Sequence, residues 1–340
     1  MNRIELVTRN TEEIVTREEL EKILEKKNPR AYIGYATTGQ MHIGHLMPIA
    51  KIVDFIDAGI DFTFLIADMH GFLDDQKTPW ELLEARSEYY ERTVKDILSS
   101  MGADASKVNF VKGSEFQLEK DYVTNIFHLA GEVTLARTQR AASEVVRFSD
   151  APKLSGFLYP LLQTMDVTEL KADIAFGGID QRGIYMLSRE LLPIIGKPKP
   201  ACIFTPLLPS MEGGKMGGKM SASEEKSKLA LSASEKEITK KVNSSFCEAK
   251  KVEGNWVLLF FKNVIFPLKE RKKEVLTIER PEKFGGNLEY KDYVSLEKDF
   301  AEGALHPMDA KNGLAKEINL LVAPVRENAD QELIEKAYPQ

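Results

Sequence analysis

Over the first two thirds of the chain, short apolar runs alternate with apolar stripes at helical spacing, and this alternation predicts a doubly wound parallel α/β sheet. Ala31-Tyr32-Ile33-Gly34-Tyr35 reads as a buried strand, and after a glycine-containing turn Leu46, Ile49, Ala50, Val53 and Ile56 share one helical face. Residues 62–67 read as a second strand. Thr78, Pro79 and Glu81 supply an N-cap, a first-turn proline and a capping box for a long helix running towards Met101. Residues 108–112 read as a third strand, and residues 121–148 as helix carrying Arg137, Arg140 and Arg147. Residues 172–176 and 201–204 read as two further strands on either side of a helix over 181–192. Thr16 and Glu19 form a capping box ahead of the first strand.

The pattern changes near residue 210. The stretch SMEGGKMGGKMSAS holds four glycines and little apolar content, which predicts a mobile loop over 211–226. Beyond it, Ser234 and Glu237 form another capping box, and the remainder reads as amphipathic helices interrupted over 280–286. We expect a first domain over 1–232 and a mainly α-helical second domain over 233–340.

A length of 340 residues agrees with about two domains. With 43% hydrophobic and 29% charged residues the chain has apolar surface to bury, which excludes disordered, fibrous and disulfide-stapled classes. No apolar stretch reaches the length of a membrane span, and the start is too charged for a signal peptide, so a cytoplasmic protein is expected. Cys202 and Cys247 form no C-x-x-C pair and are expected to be reduced. The net charge of −6 gives no global signature for nucleic acid. Residues 235–283, however, hold 12 basic and 8 acidic residues, and one basic face suffices for phosphate contacts; a solvated helical surface would have the same composition.

Two segments carry candidate chemistry. Thr38-Gly39-Gln40-Met41-His42-Ile43-Gly44-His45 lies between the first strand and its helix, where open sheets bind ligands and a helix start offers free N–H groups to an anion. Two imidazoles three residues apart can donate to phosphate oxygens, and Gly44 lets a flat group approach the backbone. An ordinary turn with surface histidines is the plain alternative. H-x-x-H without a general-base Glu or nearby Cys does not make a zinc site, so no protein-bound metal is expected. The second segment is Gly218-Lys219-Met220-Ser221-Ala222-Ser223. A loop lysine can neutralise charge that develops only in a transition state, yet a plain Lys/Ser/Gly linker has the same look, and Gly214-Lys215-Met216-Gly217 is a near copy upstream.

Together, His-Ile-Gly-His near the start and Lys-Met-Ser-Ala-Ser about 175 residues later resemble the paired signatures of class I aminoacyl-tRNA synthetases. Ala222 stands where many members carry lysine. The segments 31–35, 64–70, 113–118, 159–166 and 177–181 resemble the archaeal and eukaryotic type of tyrosyl-tRNA synthetase, over nearly the whole chain. The resemblance implies a Rossmann-like catalytic domain with a helical connective insertion over about 118–150, through which the family dimerises and meets the tRNA acceptor end, followed by an anticodon-binding domain. It implies activation of L-tyrosine by ATP with Mg²⁺ and transfer to tRNA(Tyr) by a homodimer. By resemblance, His42, His45, Lys219 and Ser221 are catalytic, and Gly44, Met220 and Ser223 contact ATP. Tyr32 and Asp166 hold the substrate phenol beside Gly34, while Tyr159, Gln163 and Gln181 surround its α-amino group. Cys247, Pro281, Phe284, His306 and Asp309 match positions of the anticodon site. Ala36 and Thr37 depart from the acidic residue and proline that often stand there.

Elementary chemistry agrees with the phenol assignment, because a phenolic hydroxyl both donates and accepts, and one carboxylate with one hydroxyl satisfies it. Read without the resemblance, Tyr159 and Gln163 are an ordinary i,i+4 pair, and Asp309 after Pro307 suits a helix start. The rivals are a tryptophanyl enzyme of the same architecture, a non-catalytic RNA-binding paralogue, and a small-molecule nucleotidyltransferase.

Overall fold

The computed structural model describes residues 1–212 and 229–339. In chain order it contains α1 (Arg3–Thr8), β1 (Glu13–Val15), α2 (Arg17–Leu24), β2 (Arg30–Ala36), α3 (Leu46–Asp57), β3 (Asp61–Ala67), α4 (Asp68–Leu73), α5 (Leu83–Ser100) and β4 (Val108–Lys112). There follow α6 (Lys120–Glu132), α7 (Leu135–Ala142), α8 (Leu154–Glu169), β5 (Ile174–Gly178), α9 (Arg182–Leu191) and β6 (Ala201–Thr205). After the glycine-rich stretch come α10 (Glu235–Ser244), α11 (Trp256–Phe260), α12 (Phe266–Lys272), β7 (Leu276–Ile278), β8 (Leu288–Tyr290), α13 (Tyr293–Glu302), α14 (Pro307–Glu327) and α15 (Gln331–Ala337).

The first six strands form one sheet in the order β1-β6-β5-β2-β3-β4, and β7 and β8 pair separately. All neighbours run parallel except β1, which pairs antiparallel with β6. This edge strand is absent from the sequence pattern, since three residues are too short to show a period. The period-two geometry of a strand sorts side chains onto two faces. Ala31, Ile33, Phe62, Phe64 and Ile203 join one apolar cluster; Tyr32, Leu65, Cys202 and Phe204 join the other. The first cluster extends without a break through Trp256, Phe260, Leu314 and Ile318, so apolar packing continues across residue 232. Both α14 and α15 pack on α5.

Two details differ from the pattern. Thr78 does not cap a helix: its buried hydroxyl donates to the Thr37 carbonyl at 2.8 Å, and α5 begins at Leu83 after a 3-10 turn over Trp80–Leu82. The region 121–148 is not one helix. Val133 is extended, Thr134 caps a new helix by accepting from the Arg137 N–H, and α7 ends at Ala142. The capping box of Ser234 and Glu237 is formed in both directions. Thr16 accepts from the Glu19 N–H to open α2. The interruption over 280–286 is the connection of the β7-β8 hairpin. No helix among the described residues is long and apolar enough to cross a membrane.

Candidate active site

The chain leaves β2 to one side for β3 and returns to the other side as β5, so strand order reverses at β2 and a crevice opens beyond the carboxyl ends of β2 and β5. A cavity of about 760 Å³ occupies this place. Tyr32, Gly34, His42, Gly44, His45, Tyr159, Gln163, Asp166 and Gln181 all line it. The sequence candidates from four separate segments are therefore brought to one site. Lys219, Met220, Ser221 and Ser223, with the near-copy Lys215, lie outside the described residues.

At one end, His42 and His45 form a reciprocal cap. The Gly44 N–H donates to His42 Nδ1 and the His42 N–H to His45 Nδ1, each at 3.1 Å, with ring centres 4.2 Å apart. His45 Nδ1 also lies 3.1 Å from the His42 carbonyl, so its tautomer decides whether it accepts from the His42 N–H or donates to the carbonyl. Burial pushes the His45 pKa down to about 4, so this ring is a neutral donor at physiological pH. The segment after the glycine-rich stretch is tied beside the pair: Ile43 donates to the Leu229 carbonyl and Leu231 to the Met41 carbonyl, each at 3.0 Å. His42 sits opposite Ala230.

The turn before His42 is braced from a distance. Arg86 donates to the carbonyls of Thr37 (3.2 Å), Lys77 (2.8 Å) and Ala337 (2.9 Å), and its guanidinium lies over the Tyr338 ring at 4.6 Å. The Gly39 carbonyl accepts from the hydroxyls of Tyr90 at 2.7 Å and Tyr338 at 2.9 Å. Thr37 is thus committed through its carbonyl to α5 and Thr78, and its own hydroxyl faces that of Thr78 at 3.4 Å.

At the other end, Asp166 is fully buried on α8. Its Oδ1 accepts from Gln117 Nε2 at 2.7 Å and lies 2.8 Å from the Tyr122 hydroxyl, while Oδ2 has no hydrogen-bond partner. Burial pushes its pKa up to about 7; the bonds from Gln117 and Tyr122 pull it down, and Asp68 and Glu169 push it further up. The Tyr32 hydroxyl lies 3.4 Å from the Gln163 carbonyl, and burial holds its pKa well above the ordinary phenol value. Gln163 donates to Gln181 across the cavity at 3.1 Å. A Cβ on Gly34 would make an ordinary 3.5 Å contact with Leu65, so glycine there keeps the cavity open rather than relieving strain.

Sequence reasoning missed Gln117 and Tyr122, which reach Asp166 from a turn and from α6, and His70, which follows the carboxyl end of β3. Position after a parallel strand was a usable signal for His70. No local pattern marks the other two. Arg137 forms an ion pair with Glu190 at 2.6 Å, as a surface arginine would.

The anticodon candidates lie away from this cavity. Arg280 donates to the carbonyls of Gly286 and Ala304, which ties the Pro281 and Phe284 loop to the turn before His306. Lys311 donates to the carbonyls of Asn243 (2.7 Å) and Ser245 (3.2 Å), which brings the Cys247 segment against α14. Phe284 is 60% exposed. His306 caps α14 through the Met308 N–H, and Asp309 lies in that helix's first turn.

The family model for class I tRNA synthetases (W and Y) matches residues 24–323, and the chain belongs to that family of aminoacyl-tRNA synthetases. It is 50% identical over 340 residues to a tyrosine–tRNA ligase of Haloarcula marismortui, covering 99% of this chain and 97% of that one. It is 42% identical to the cytoplasmic tyrosine–tRNA ligase of Xenopus laevis, over 98% of this chain and 63% of that protein. A crystal structure of tyrosyl-tRNA synthetase from Pyrococcus horikoshii, complexed with L-tyrosine, superposes with a TM-score of 0.90 at 31% identity, covering 98% of each chain. Within the family, the chain is of the archaeal and eukaryotic tyrosyl type.

Proposed function

We propose the following division of labour in tyrosine–tRNA ligation. The α-carboxylate of L-tyrosine attacks the α-phosphorus of ATP, giving tyrosyl-adenylate and pyrophosphate. A hydroxyl of the tRNA's terminal adenosine then takes the tyrosyl group and releases AMP. The observation that carries the reading is Asp166: a buried carboxylate with one oxygen saturated and the other unpartnered, lining a cavity whose far end holds two histidine donors. The unpartnered Oδ2 accepts the phenol proton and Tyr32 donates to the phenol oxygen. Tyr159, Gln163 and Gln181 receive the α-amino group, and Gly34 leaves room for the ring.

His42 and His45 donate to phosphate oxygens as charge builds on them, beside Gly44. Lys219 and Ser221, with Met220 and Ser223 against ATP, act from the stretch whose trailing end is tied next to His42. Mg²⁺ would arrive bound to ATP, whose phosphate oxygens supply most of its ligands and whose charge it would offset.

Residues 1–232 form the catalytic unit and 233–340 the anticodon-reading unit, with Phe284 stacking on a base and His306, Asp309, Cys247 and Pro281 around it. The enzyme works as a homodimer through the 118–150 insertion, where Leu118, Phe127 and Leu135 are 57%, 72% and 64% exposed. It acts in the cytoplasm.

ATP–pyrophosphate exchange with each of the twenty amino acids tests the reading. Tyrosine alone gives strong exchange, and phenylalanine is poorer by about 10⁴–10⁵, the usual penalty when a site built to hydrogen-bond a substrate hydroxyl meets an analogue that lacks it. Comparable exchange with tryptophan or phenylalanine would overturn it.

A further inference from the structure

We infer that His70 is a positioning residue for tyrosine recognition: its neutral imidazole donates from Nε2 to Asp166 Oδ2 and so keeps that carboxylate ionised and aimed at the substrate phenol. The inference rests on the reading of Asp166 as the phenol acceptor and deepens it.

Three observations carry it. His70 is 2% exposed and lines the same cavity as Asp166. Its Nε2 lies 3.7 Å from Asp166 Oδ2, too long for a hydrogen bond and a few tenths of an ångström from one. The backbone of Tyr159 interacts with the His70 ring, yet within hydrogen-bonding limits neither His70 nitrogen has a partner, and neither does Asp166 Oδ2. Buried polar atoms left unpaired are costly, so three in one corner of a cavity call for an explanation. A substrate hydroxyl donating to Oδ2, with the imidazole closing onto the same oxygen, removes two of them together.

The corner is built to hold that geometry. Asp68, at the start of α4, accepts from the Met69 and Ser114 N–H groups and the Ser114 hydroxyl, which fixes the turn carrying His70. Tyr159 meets the His70 ring edge to face at 4.6 Å. A Cβ on Gly113 would fall 2.5 Å from Gln117 Oε1 and 2.9 Å from Asp68 Oδ1, so glycine there is what lets the two supports of the site approach one another.

The electrostatics say why a donor is needed. Burial, with Asp68 on α4 and Glu169 on α8, opposes the charge on Asp166, and only Gln117 and Tyr122 favour it, both through Oδ1. Asp74 and Asp180 add negative potential around Tyr159. Tyr32, Tyr159 and Tyr185 line the same cavity and Tyr122 reaches Asp166 from α6, and burial keeps all four protonated. His70 is itself held neutral, its pKa pushed down to about 3 by burial, so it serves as a hydrogen-bond donor without trading its proton with Asp166.

The test uses the full chain with His70→Phe, which keeps a ring and removes the N–H, and His70→Gln, which returns a donor near the Nε2 position. Tyrosine dissociation constants are measured from pH 6 to 9, with melting temperatures on the same preparations and Asp166→Asn alongside. In His70→Phe the midpoint below which tyrosine binding fades moves up by about one pH unit, so affinity at pH 7 falls by up to about tenfold and recovers near pH 9. His70→Gln restores the wild-type profile, and kcat for exchange at saturating tyrosine stays unchanged. A wild-type pH profile in His70→Phe, or equal weakening at every pH that His70→Gln shares, would overturn the inference. Unchanged preference for tyrosine over phenylalanine in Asp166→Asn would overturn the reading beneath it as well.

Discussion

Asp166 makes the tyrosine-free enzyme less stable than it could be, and the size of that cost is accessible. Its carboxyl titrates at 3.8 when unperturbed and is pushed up to about 7 by burial. A carboxyl whose folded pKa lies above its unfolded one costs nothing below the unfolded value and costs most above the folded one. The penalty therefore grows from about pH 4 to pH 7 and stays full beyond it. Roughly three pH units at 1.36 kcal/mol each set a ceiling of about 4 kcal/mol, and water entering the open cavity leaves about 2 kcal/mol. Asp166→Asn removes the charge while its carbonyl oxygen still accepts from Gln117 and Tyr122. At an unfolding entropy of about 2.1 cal/mol/K per residue, the variant should melt roughly 3 °C above wild type at pH 8, with the difference gone by pH 4 to 5. Calorimetric or dichroism melts without tyrosine, at pH 4.5, 6 and 8, measure this. A variant that melts lower at pH 8, or by the same offset at every pH, refutes the reasoning. At the same time Asp166→Asn should lose preference for tyrosine, so the charge is retained for binding at the expense of the fold.

Lys219→Ala should slow adenylate formation by about 10² or more with tyrosine affinity nearly unchanged, since a loop lysine acts on the triphosphate transition state; the same loss in Lys215→Ala alone would shift the register of the loop. His45→Ala should follow the Lys219→Ala pattern, and collapse of tyrosine binding instead would place His45 in the amino-acid end of the cavity. Phe284→Ala and Asp309→Ala should each cost about 1–3 kcal/mol in kcat/KM for tRNA charging without changing pyrophosphate exchange. For Asp309→Ala, a lower melting temperature with normal charging would mark the carboxylate as support for the start of α14. Phe127→Glu should shift the sedimentation of the enzyme towards the monomer, and an unchanged profile would remove α6 from the dimer contact.

Much of the sheet was legible because parallel strands buried on both faces read as short apolar runs between helical stripes. The candidate residues of the cavity were found through motif and resemblance, and elementary chemistry supported Asp166 with Tyr32 for a phenol. Four kinds of feature stayed hidden. The edge strand β1 is too short to show a period. Thr78 carried a cap signal, but its hydroxyl serves a carbonyl 41 residues away, a tertiary preference that no local pattern contains. Gln117 and Tyr122 matter only because folding brings them within 3 Å of Asp166. The continuous apolar cluster across residue 232 was also invisible to a reading that looked for changes in composition.

The brace on the turn before His42 bears on how this enzyme is made. The Gly39 carbonyl takes one hydroxyl from 51 residues further on and another from 299 residues further on. At 5–20 residues per second, the second hydroxyl leaves the ribosome roughly 15–60 s after the glycine it serves. During that interval the sheet can assemble while the nucleotide end of the cavity still lacks Tyr338 and the Ala337 carbonyl that anchors Arg86. The brace on this turn is therefore complete only once Ala337 and Tyr338 have been made, so the order of synthesis separates formation of the sheet from the final setting of the His42 turn.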